Sequence, residues 1–254
     1  MINNIIISGI QFDIVWEDKK ANFKKLEYLI SNISSDTDVI FLPEMFTTGF
    51  SMNSKKLAET MKGNSVSWMK NISRSLNKVI AGSLIIYDGK EYRNRFIWVD
   101  PGGEINFYDK KYLFTPGGEA KFYTNGRERK VFEYKGWRIF PSICYDLRFP
   151  EWLKNDINYD IIINVASWPQ IRATHWKTFL RSRAIENQSY FAGINRIGVD
   201  GRNITYSGDS SIYDFDGNLL AELGNIEGIV NAVFSKDKLM DYRKQFPFLK
   251  DKEK

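Results

Sequence analysis

The chain has 254 residues, of which 43% are hydrophobic and 15% aromatic, and this is enough to bury one substantial core. Its 36 Lys and Arg residues are interleaved with 31 Asp and Glu residues, so the net charge of +5 does not form the basic stripe of a nucleic-acid-binding protein. A single cysteine excludes an intramolecular disulfide, so the sequence does not require an oxidising compartment.

No stretch rich in glycine, serine or proline divides the chain, so we expect a single domain over residues 1–254. The amino-terminal residues Met1 to Asn4 lead directly into an apolar run, without a basic leader, a long apolar segment or a small-residue cleavage site. These features predict a cytoplasmic protein without a membrane segment.

Predicted strands and helices alternate from the amino terminus onward. Short runs rich in β-branched residues predict strands at residues 5–10, 38–42, 79–87 and 160–165. Apolar residues at helical spacing predict two helices between the first three of these strands, at residues 23–33 and 66–76. Turn sequences predict two β-hairpins, one of residues 92–99 with 104–108 and one of residues 211–213 with 219–220. The chain is therefore predicted to be an α/β protein with mixed sheets.

Three reactive side chains each follow a predicted strand. Glu44 comes directly after Pro43, which ends its strand because proline cannot donate a hydrogen bond to the sheet. Lys110 follows the second strand of the first hairpin, and Cys144 follows the apolar run of residues 137–143. A lone cysteine is more often a small buried hydrophobe, and a charged residue at a strand end is usually solvated. The combination of the three favours a reactive site.

These residues lie in motifs that resemble those of the nitrilase superfamily of carbon-nitrogen hydrolases. The glutamate, lysine and cysteine motifs occur in the family's usual order, and the resemblance covers nearly the whole chain. It implies a four-layer α-β-β-α sandwich, in which two mixed sheets face each other and the helices lie outside. The matching segments are Leu42-Pro43-Glu44, Tyr108-Asp109-Lys110 with Leu113-Phe114, Cys144-Tyr145-Asp146 with Arg148-Phe149-Pro150-Glu151, Asn164 to Pro169, His175-Trp176, Arg181 to Gln188 and Asn195 to Gly198.

Within the superfamily, the short length, Cys144-Tyr145-Asp146 and Pro116-Gly117-Gly118-Glu119 resemble the omega-amidase branch. This resemblance implies hydrolysis of the terminal amide of short 2-oxo dicarboxylic acid monoamides, such as 2-oxoglutaramate and 2-oxosuccinamate, to the dicarboxylate and ammonia. The chain departs from the branch at Tyr112, because a histidine is often found two residues beyond the lysine. Tyr112 supplies none of the three functional groups, so the departure leaves the chemistry intact and bears on substrate preference.

Amide hydrolysis needs a strong nucleophile, a proton carrier and positive charge where the oxyanion forms. Cys144 fits the nucleophile, which would form a thioester, and Glu44 fits the base. Lys110 and the backbone N–H of Tyr145 fit the oxyanion site. The motif selects Lys110 rather than Lys111, and alternation along an extended chain would put these two side chains on opposite faces.

Three further residues are candidates for binding. Glu119 resembles a second carboxylate that many family members place beside the cysteine, although a solvated loop acid is an alternative. Arg148 follows Cys144 by one turn and can bridge two carboxylate oxygens of the substrate, or it can pair with a nearby acid such as Glu151 or Asp146. Trp168 would form a wall of the pocket, or it would belong to the core.

His175, the only histidine, raises a competing hypothesis, because Cys with His is the commonest arrangement in thiol hydrolases. A cysteine peptidase would leave Glu44 and Lys110 without roles, so this alternative is ranked low. Another amidase, carbamoylase or nitrilase of the same family stays open, since the same three residues form a thioester from several substrates. A non-catalytic binding protein is disfavoured because all three reactive residues are present.

The expected partners are a small anionic amide substrate and a second copy of the chain, and neither nucleic acid nor a membrane. By resemblance, the helix at residues 176–188 and the segment after Pro150 pack against a second subunit, which predicts a homodimer. No metal or organic cofactor is predicted, because His175 and Cys144 lie far apart in sequence and no glycine-rich phosphate loop is present.

Overall fold

The computed structural model describes residues 4–253, with side chains described through Asp251. The sequence-based prediction of no leader concerns residues 1–3, which lie outside the described residues. The described chain contains six α-helices: α1 Lys19–Ile30, α2 Ser54–Leu57, α3 Asn64–Leu76, α4 Pro150–Leu153, α5 Ala173–Asn187 and α6 Lys236–Gln245. Its strands are β1 Asn4–Gln11, β2 Val39–Phe41, β3 Val79–Tyr87, β4 Tyr92–Val99, β5 Ile105–Asp109, β6 Phe132–Tyr134, β7 Trp137–Ile143, β8 Ile161–Val165, β9 Tyr190–Ile194, β10 Ile197–Val199, β11 Thr205–Ser207, β12 Ser211–Tyr213, β13 Leu219–Glu222 and β14 Gly228–Ser235.

The strands form two six-stranded mixed sheets and one two-stranded ribbon. The first sheet has the order β14, β1, β2, β3, β4, β5, and the second has the order β13, β12, β9, β8, β7, β6. In each sheet three adjacent strands run parallel to one another, β1 to β3 in the first sheet and β7 to β9 in the second. The remaining pairs of adjacent strands are antiparallel. The ribbon consists of β10 and β11. Both predicted hairpins are present, and the mixed sheets are confirmed.

The two sheets pack face to face, and helices cover the outer face of each. Along β2, Val39 and Phe41 pack into the core that includes the second sheet, whereas Ile40 packs on the side that carries α1 and α3. This alternation follows from the two-residue period of a strand. Between the sheets, Gly9 on β1 lies so near Ile194 on β9 that an added Cβ would come within 2.0 Å of the isoleucine Cδ1. The four-layer sandwich predicted from the family resemblance is confirmed.

The first predicted helix ends earlier than its apolar spacing indicates. Asp18 caps its amino terminus by accepting a hydrogen bond from the backbone N–H of Ala21 at 3.0 Å. The helix ends at Ile30, and the next two side chains, Ser31 and Asn32, both donate to the carbonyl oxygen of Tyr28. Such side chains compete with the backbone for helix carbonyls, which accounts for the early end. Within residues 4–253 no helix is long and apolar enough to cross a membrane.

Candidate active site

The ends of β2, β5 and β7 bring the three predicted reactive residues together. Glu44 lies three residues beyond β2, Lys110 follows β5 and Cys144 follows β7. The Nζ of Lys110 lies 2.8 Å from Oε1 of Glu44, and both side chains are fully buried. Cys144 is also nearly buried, and the charges of Glu44 and Lys110 both act on its thiol.

Glu119 joins this cluster from a 3₁₀ turn at Glu119–Lys121. Its two carboxylate oxygens accept hydrogen bonds from Nζ of Lys110 at 3.1 and 2.9 Å, and its Oε2 accepts from the backbone N–H of Phe114 at 2.6 Å. The side chain is 0% exposed, so the alternative of a solvated loop acid is wrong. One ammonium group therefore lies between two carboxylates inside the protein.

The charges in this cluster shift each other's ionisation. Burial on its own would lower the pKa of Lys110, but the carboxylates of Glu119 and Glu44 outweigh it and raise that pKa above its ordinary value. Burial raises the pKa of Glu119, and the neighbouring charge of Glu44 raises it further, against the opposing effect of Lys110. Lys110 is therefore a fixed cation over the physiological pH range.

Asn94 and Ser167 complete the hydrogen bonding of the carboxylates, and the sequence analysis identified neither. The side-chain amide of Asn94 on β4 donates to Oε1 of Glu44 at 2.7 Å and to Oε1 of Glu119 at 3.3 Å. The backbone N–H of Ser167 donates to Oε2 of Glu44 at 2.9 Å. The sequence signal that could have identified Asn94 was its place within a predicted strand, on the face turned toward the interior. The Oδ1 of Asn94 is buried and accepts no hydrogen bond from the described residues.

Cys144 occupies a strained position at the tip of the turn that follows β7. It begins a 3₁₀ turn, Cys144–Arg148, and its backbone has a φ of +45°. Residues other than glycine rarely adopt this left-handed conformation, and such strain is concentrated at functional sites. Burial raises the pKa of the Cys144 thiol well above its ordinary value, and the charge of Glu44 adds to this effect while Lys110 opposes it. The thiol is therefore protonated at rest and needs an adjacent base to become a nucleophile.

Asp146 holds the Cys144 turn in place. Its carboxylate accepts hydrogen bonds from the backbone N–H of Ile143 at 3.0 Å, the backbone N–H of Tyr112 at 2.8 Å and the hydroxyl of Tyr108 at 2.8 Å. Burial raises the pKa of Asp146 to about 6. The residue therefore serves the architecture of the turn and is not available to pair with Arg148.

We expect Asp146→Ala to lower the free energy of unfolding by about 3 kcal/mol or more, since each orphaned buried donor costs roughly 1–3 kcal/mol. Urea unfolding measures this change. Asp146→Asn keeps an acceptor oxygen and is expected to lose less. Equal stability of the alanine variant and the unmodified protein would show that the three hydrogen bonds do not hold the turn.

A cavity of about 320 Å³ opens onto Cys144. Three guanidinium groups line it, those of Arg148, Arg172 and Arg202, and none of its described lining residues is acidic. The remaining lining is mainly aromatic and apolar, and Trp168 is part of it. Glu44 and Glu119 are absent from this lining, but two lining residues, Ser167 and Phe114, donate backbone hydrogen bonds to them. The cavity is therefore suited to a small anion with an apolar body.

Arg148 and Trp168 both lie in this lining, as the sequence predicts. The Arg148 guanidinium lies 5.6 Å from the ring centroid of Trp168 and forms no ion pair with Glu151 or Asp146 among the described residues. Trp168 is 3% exposed, so it belongs to the core and also contributes to the cavity wall. Tyr112 stacks on Phe149 with ring centroids 3.7 Å apart, outside the residues that line the cavity.

His175 is exposed near the start of α5, and its hydrogen-bond partner among the described residues is Arg148 rather than Cys144. The carboxylate of Glu44 thus acts on the thiol of Cys144, whereas the imidazole of His175 contacts Arg148. Residues 4–251 contain no group of three or more His, Cys, Asp and Glu side chains that could hold a metal ion.

Comparison with known proteins agrees with this geometry. The family model described as carbon-nitrogen hydrolase matches residues 7–244. The chain belongs to the carbon-nitrogen hydrolase family. The family expected from the sequence is therefore confirmed, and so is the assignment of the chain as a hydrolase of carbon-nitrogen bonds.

Several members of the carbon-nitrogen hydrolase family resemble the chain over almost its full length. The omega-amidase YafV of Yersinia enterocolitica is 43% identical over 256 residues, which cover 100% of this chain and 98% of the relative. The 2-oxoglutaramate amidase of Bacillus subtilis is 35% identical, with 96% of each chain covered. A crystal structure of a CN-hydrolase superfamily protein from Xanthomonas campestris, with an arsenic adduct in its active site, has a TM-score of 0.95 at 39% identity and covers 98% of this chain and 97% of its own.

Proposed function

We propose that the chain is an omega-amidase that hydrolyses the terminal amide of short 2-oxo dicarboxylic acid monoamides, such as 2-oxoglutaramate and 2-oxosuccinamate. The observation that carries this proposal is the pairing of Cys144, above a buried carboxylate and ammonium cluster, with a cavity whose charged lining is entirely cationic. The names of the most similar relatives support the same substrate class.

The first half of the reaction forms a thioester. Glu44 takes the thiol proton as Sγ of Cys144 attacks the amide carbon, and the carbonyl oxygen becomes an oxyanion. Lys110 and the backbone N–H of Tyr145 stabilise this charge, and one such donor is commonly worth roughly 3 kcal/mol of barrier. Glu44 then gives its proton to the nitrogen, the carbon-nitrogen bond breaks, and ammonia leaves.

The second half returns the enzyme to its starting state. Glu44 takes a proton from a water molecule, which attacks the thioester carbon to give a second oxyanion at the same donors. The carbon-sulfur bond then breaks, the thiolate regains its proton from Glu44, and the product leaves as the carboxylic acid, which loses its proton to the solvent to give the dicarboxylate. One carboxylate therefore transfers protons in both halves, and Lys110 remains a cation throughout.

Other residues of the cluster fix these groups in place. Glu119 and Glu44 both accept hydrogen bonds from Lys110, and Asn94 donates to both carboxylates. Arg148 would bind the distal carboxylate of the substrate, and Trp168 would pack against its carbon chain. Full burial of the Glu44 and Lys110 side chains strengthens each of these electrostatic interactions, because little water screens them.

The purified enzyme should release ammonia from 2-oxosuccinamate and 2-oxoglutaramate at least about 100-fold faster, in kcat/KM, than from glutamine or from a simple nitrile. Glutamine carries an ammonium group that would enter a cavity lined by three arginines, and a nitrile without a carboxylate lacks a partner for Arg148. Coupled detection of ammonia measures the four rates. Faster turnover of the nitrile, or of glutamine, would assign the thioester chemistry to another branch of the family.

We further propose that the chain is a single-domain cytoplasmic protein that acts as a homodimer through α5. The absence of a required disulfide supports the location, and the side chain of Ile185 on α5, which is 45% exposed, supports the interface. Neither a nucleic acid nor a membrane is proposed as a partner. Light scattering of the purified protein distinguishes a dimer from a monomer.

A further inference from the structure

Arg148 is a guanidinium without a carboxylate partner. It lines the cavity above Cys144, and the rings of Trp168 and Phe179 lie 5.6 and 5.2 Å from its Cζ. No acidic side chain of the described residues forms an ion pair with it. A guanidinium has five N–H donors in a rigid plane, so aromatic packing alone leaves its direction in that plane free.

The polar contact that fixes this direction comes from His175. The Nη2 of Arg148 lies 3.1 Å from Nδ1 of His175. Because arginine is always protonated and only donates, Nδ1 must be the acceptor, and the proton of the imidazole must lie on Nε2. His175 itself is not among the residues that line the cavity.

The neighbouring Arg183 provides a comparison, because its guanidinium has structural hydrogen-bond partners. Arg183 lies 5.5 Å from the same Phe179 ring, on the surface of α5 that faces the core. Its Nε donates to the carbonyl oxygen of Leu147, and its Nη1 pairs with Glu186 at 3.0 Å. Among the described residues, Arg148 has a single neutral acceptor where Arg183 has a carbonyl and a carboxylate, which leaves most of the Arg148 donors for a ligand.

We propose that His175 is a positioning residue for anion recognition: its unprotonated Nδ1 holds one N–H of Arg148 and turns the remaining N–H groups toward the carboxylate of the substrate. This inference rests on the proposed function, in which Arg148 binds that carboxylate. It gives the only histidine a role in substrate selection, through Arg148, and none in the bond-breaking steps.

Steady-state kinetics with 2-oxosuccinamate provide the first test. We expect His175→Ala to raise KM about fivefold to tenfold, as for loss of one ordinary hydrogen bond, and to leave kcat within about twofold. His175→Asn, whose Oδ1 can replace Nδ1 as the acceptor, should restore most of the affinity. In an Arg148→Gln background the alanine substitution should change KM by less than about twofold, because the two residues act as one unit.

A second test does not depend on which amide is the substrate. The alkylating agents 4-iodobutyrate and 1-iodobutane match in length and differ in charge, and in both the reactive carbon is three bonds from the terminal carbon. The same number of bonds separates the two ends of 2-oxosuccinamate. We expect His175→Ala to slow inactivation of Cys144 by the anionic agent about fivefold relative to the neutral one. Thr174→Ala, an exposed position beside His175 on α5, is the matched control and should leave the ratio unchanged.

The outcomes separate the two proposals. If the unmodified protein does not hydrolyse 2-oxosuccinamate but His175→Ala still lowers the anionic preference in alkylation, the proposed function fails and the role of His175 stands. Equal slowing of both alkylating agents, a loss in kcat rather than a rise in KM, or no recovery with asparagine would overturn the role of His175.

Discussion

Ammonia release from 2-oxosuccinamate is expected to fall by more than about 10⁴-fold when Cys144 is replaced by alanine. The methyl group of alanine cannot attack the amide carbon, so no thioester forms, and only attack by water remains. Arg148 and Trp168 in the cavity lining are unchanged, so binding should be largely retained. The expected signature is a loss of kcat with little change in the dissociation constant of the substrate.

Two measurements make the Cys144→Ala result decisive. Thermal unfolding should show that the variant folds, since alanine is smaller than cysteine and the position is at the edge of the core. Mass spectrometry of the unmodified protein, quenched during turnover, should show an adduct whose mass matches the acyl group, and the variant should show none. Turnover by the alanine variant within about tenfold of the unmodified protein would reject Cys144 as the nucleophile.

The second large effect is expected at Lys110. Replacement of Lys110 by glutamine leaves the buried carboxylates of Glu44 and Glu119 without their shared cation. Removal of one partner from a buried ion pair typically costs about 3–5 kcal/mol, so we expect a loss of this size in the free energy of unfolding at neutral pH. The oxyanion also loses a cationic donor, so kcat should fall at least about 10³-fold.

The stability loss in Lys110→Gln should depend on pH in a defined direction. Without the ammonium group, like charges in a buried site raise the pKa of one carboxyl further above its unfolded value, in the direction already present at Glu119. A carboxyl group whose pKa is higher in the folded state stabilises the fold below its unfolded pKa of about 4.3. This contribution to the free energy of unfolding is lost as the pH rises. The deficit relative to the unmodified protein should therefore grow between pH 5 and pH 8.

Lys111→Gln is the matched control for this experiment. The Lys111 ammonium lies 5.0 Å from the Trp152 ring centroid and is only partly buried, so its loss should change the free energy of unfolding by no more than about 0.5 kcal/mol. If the two glutamine variants show equal stability and equal activity, the buried cluster does not depend on Lys110. A Lys110→Gln deficit that shrinks as the pH rises would contradict the electrostatic cause.

Local patterns in the sequence were enough to place two of the three candidate residues at strand ends. Pro43 ends β2 ahead of Glu44, and an apolar run ends at Cys144, so both positions could be assigned to strand ends without a structure. The family resemblance then supplied the facing sheets that bring those ends together. The proximity of Lys110 to Glu44 is a long-range consequence of that topology, and no spacing between the two residues predicts a distance of 2.8 Å.

What the sequence could not provide is the set of partners that each side chain has in space. Asn94 lies on β4, which β3 separates from β2, and its alignment with Glu44 depends on the register of the antiparallel pair β3 and β4. Asp146 and Arg148 are close enough in sequence to form an ion pair. In the structure, however, backbone N–H groups donate to the Asp146 carboxylate. The end of α1 was misplaced because apolar spacing carries no information about the side chains that compete for helix carbonyls.

The left-handed backbone at Cys144 links the stability of the fold to the proposed chemistry. Only glycine adopts such a conformation without steric cost, and any other residue there destabilises the fold by about 1 kcal/mol or more. Glycine at this position would therefore relieve strain in the fold but would supply no thiol. Under the proposed function, the thiol that leaves the sheet at this angle is what offsets the cost in stability.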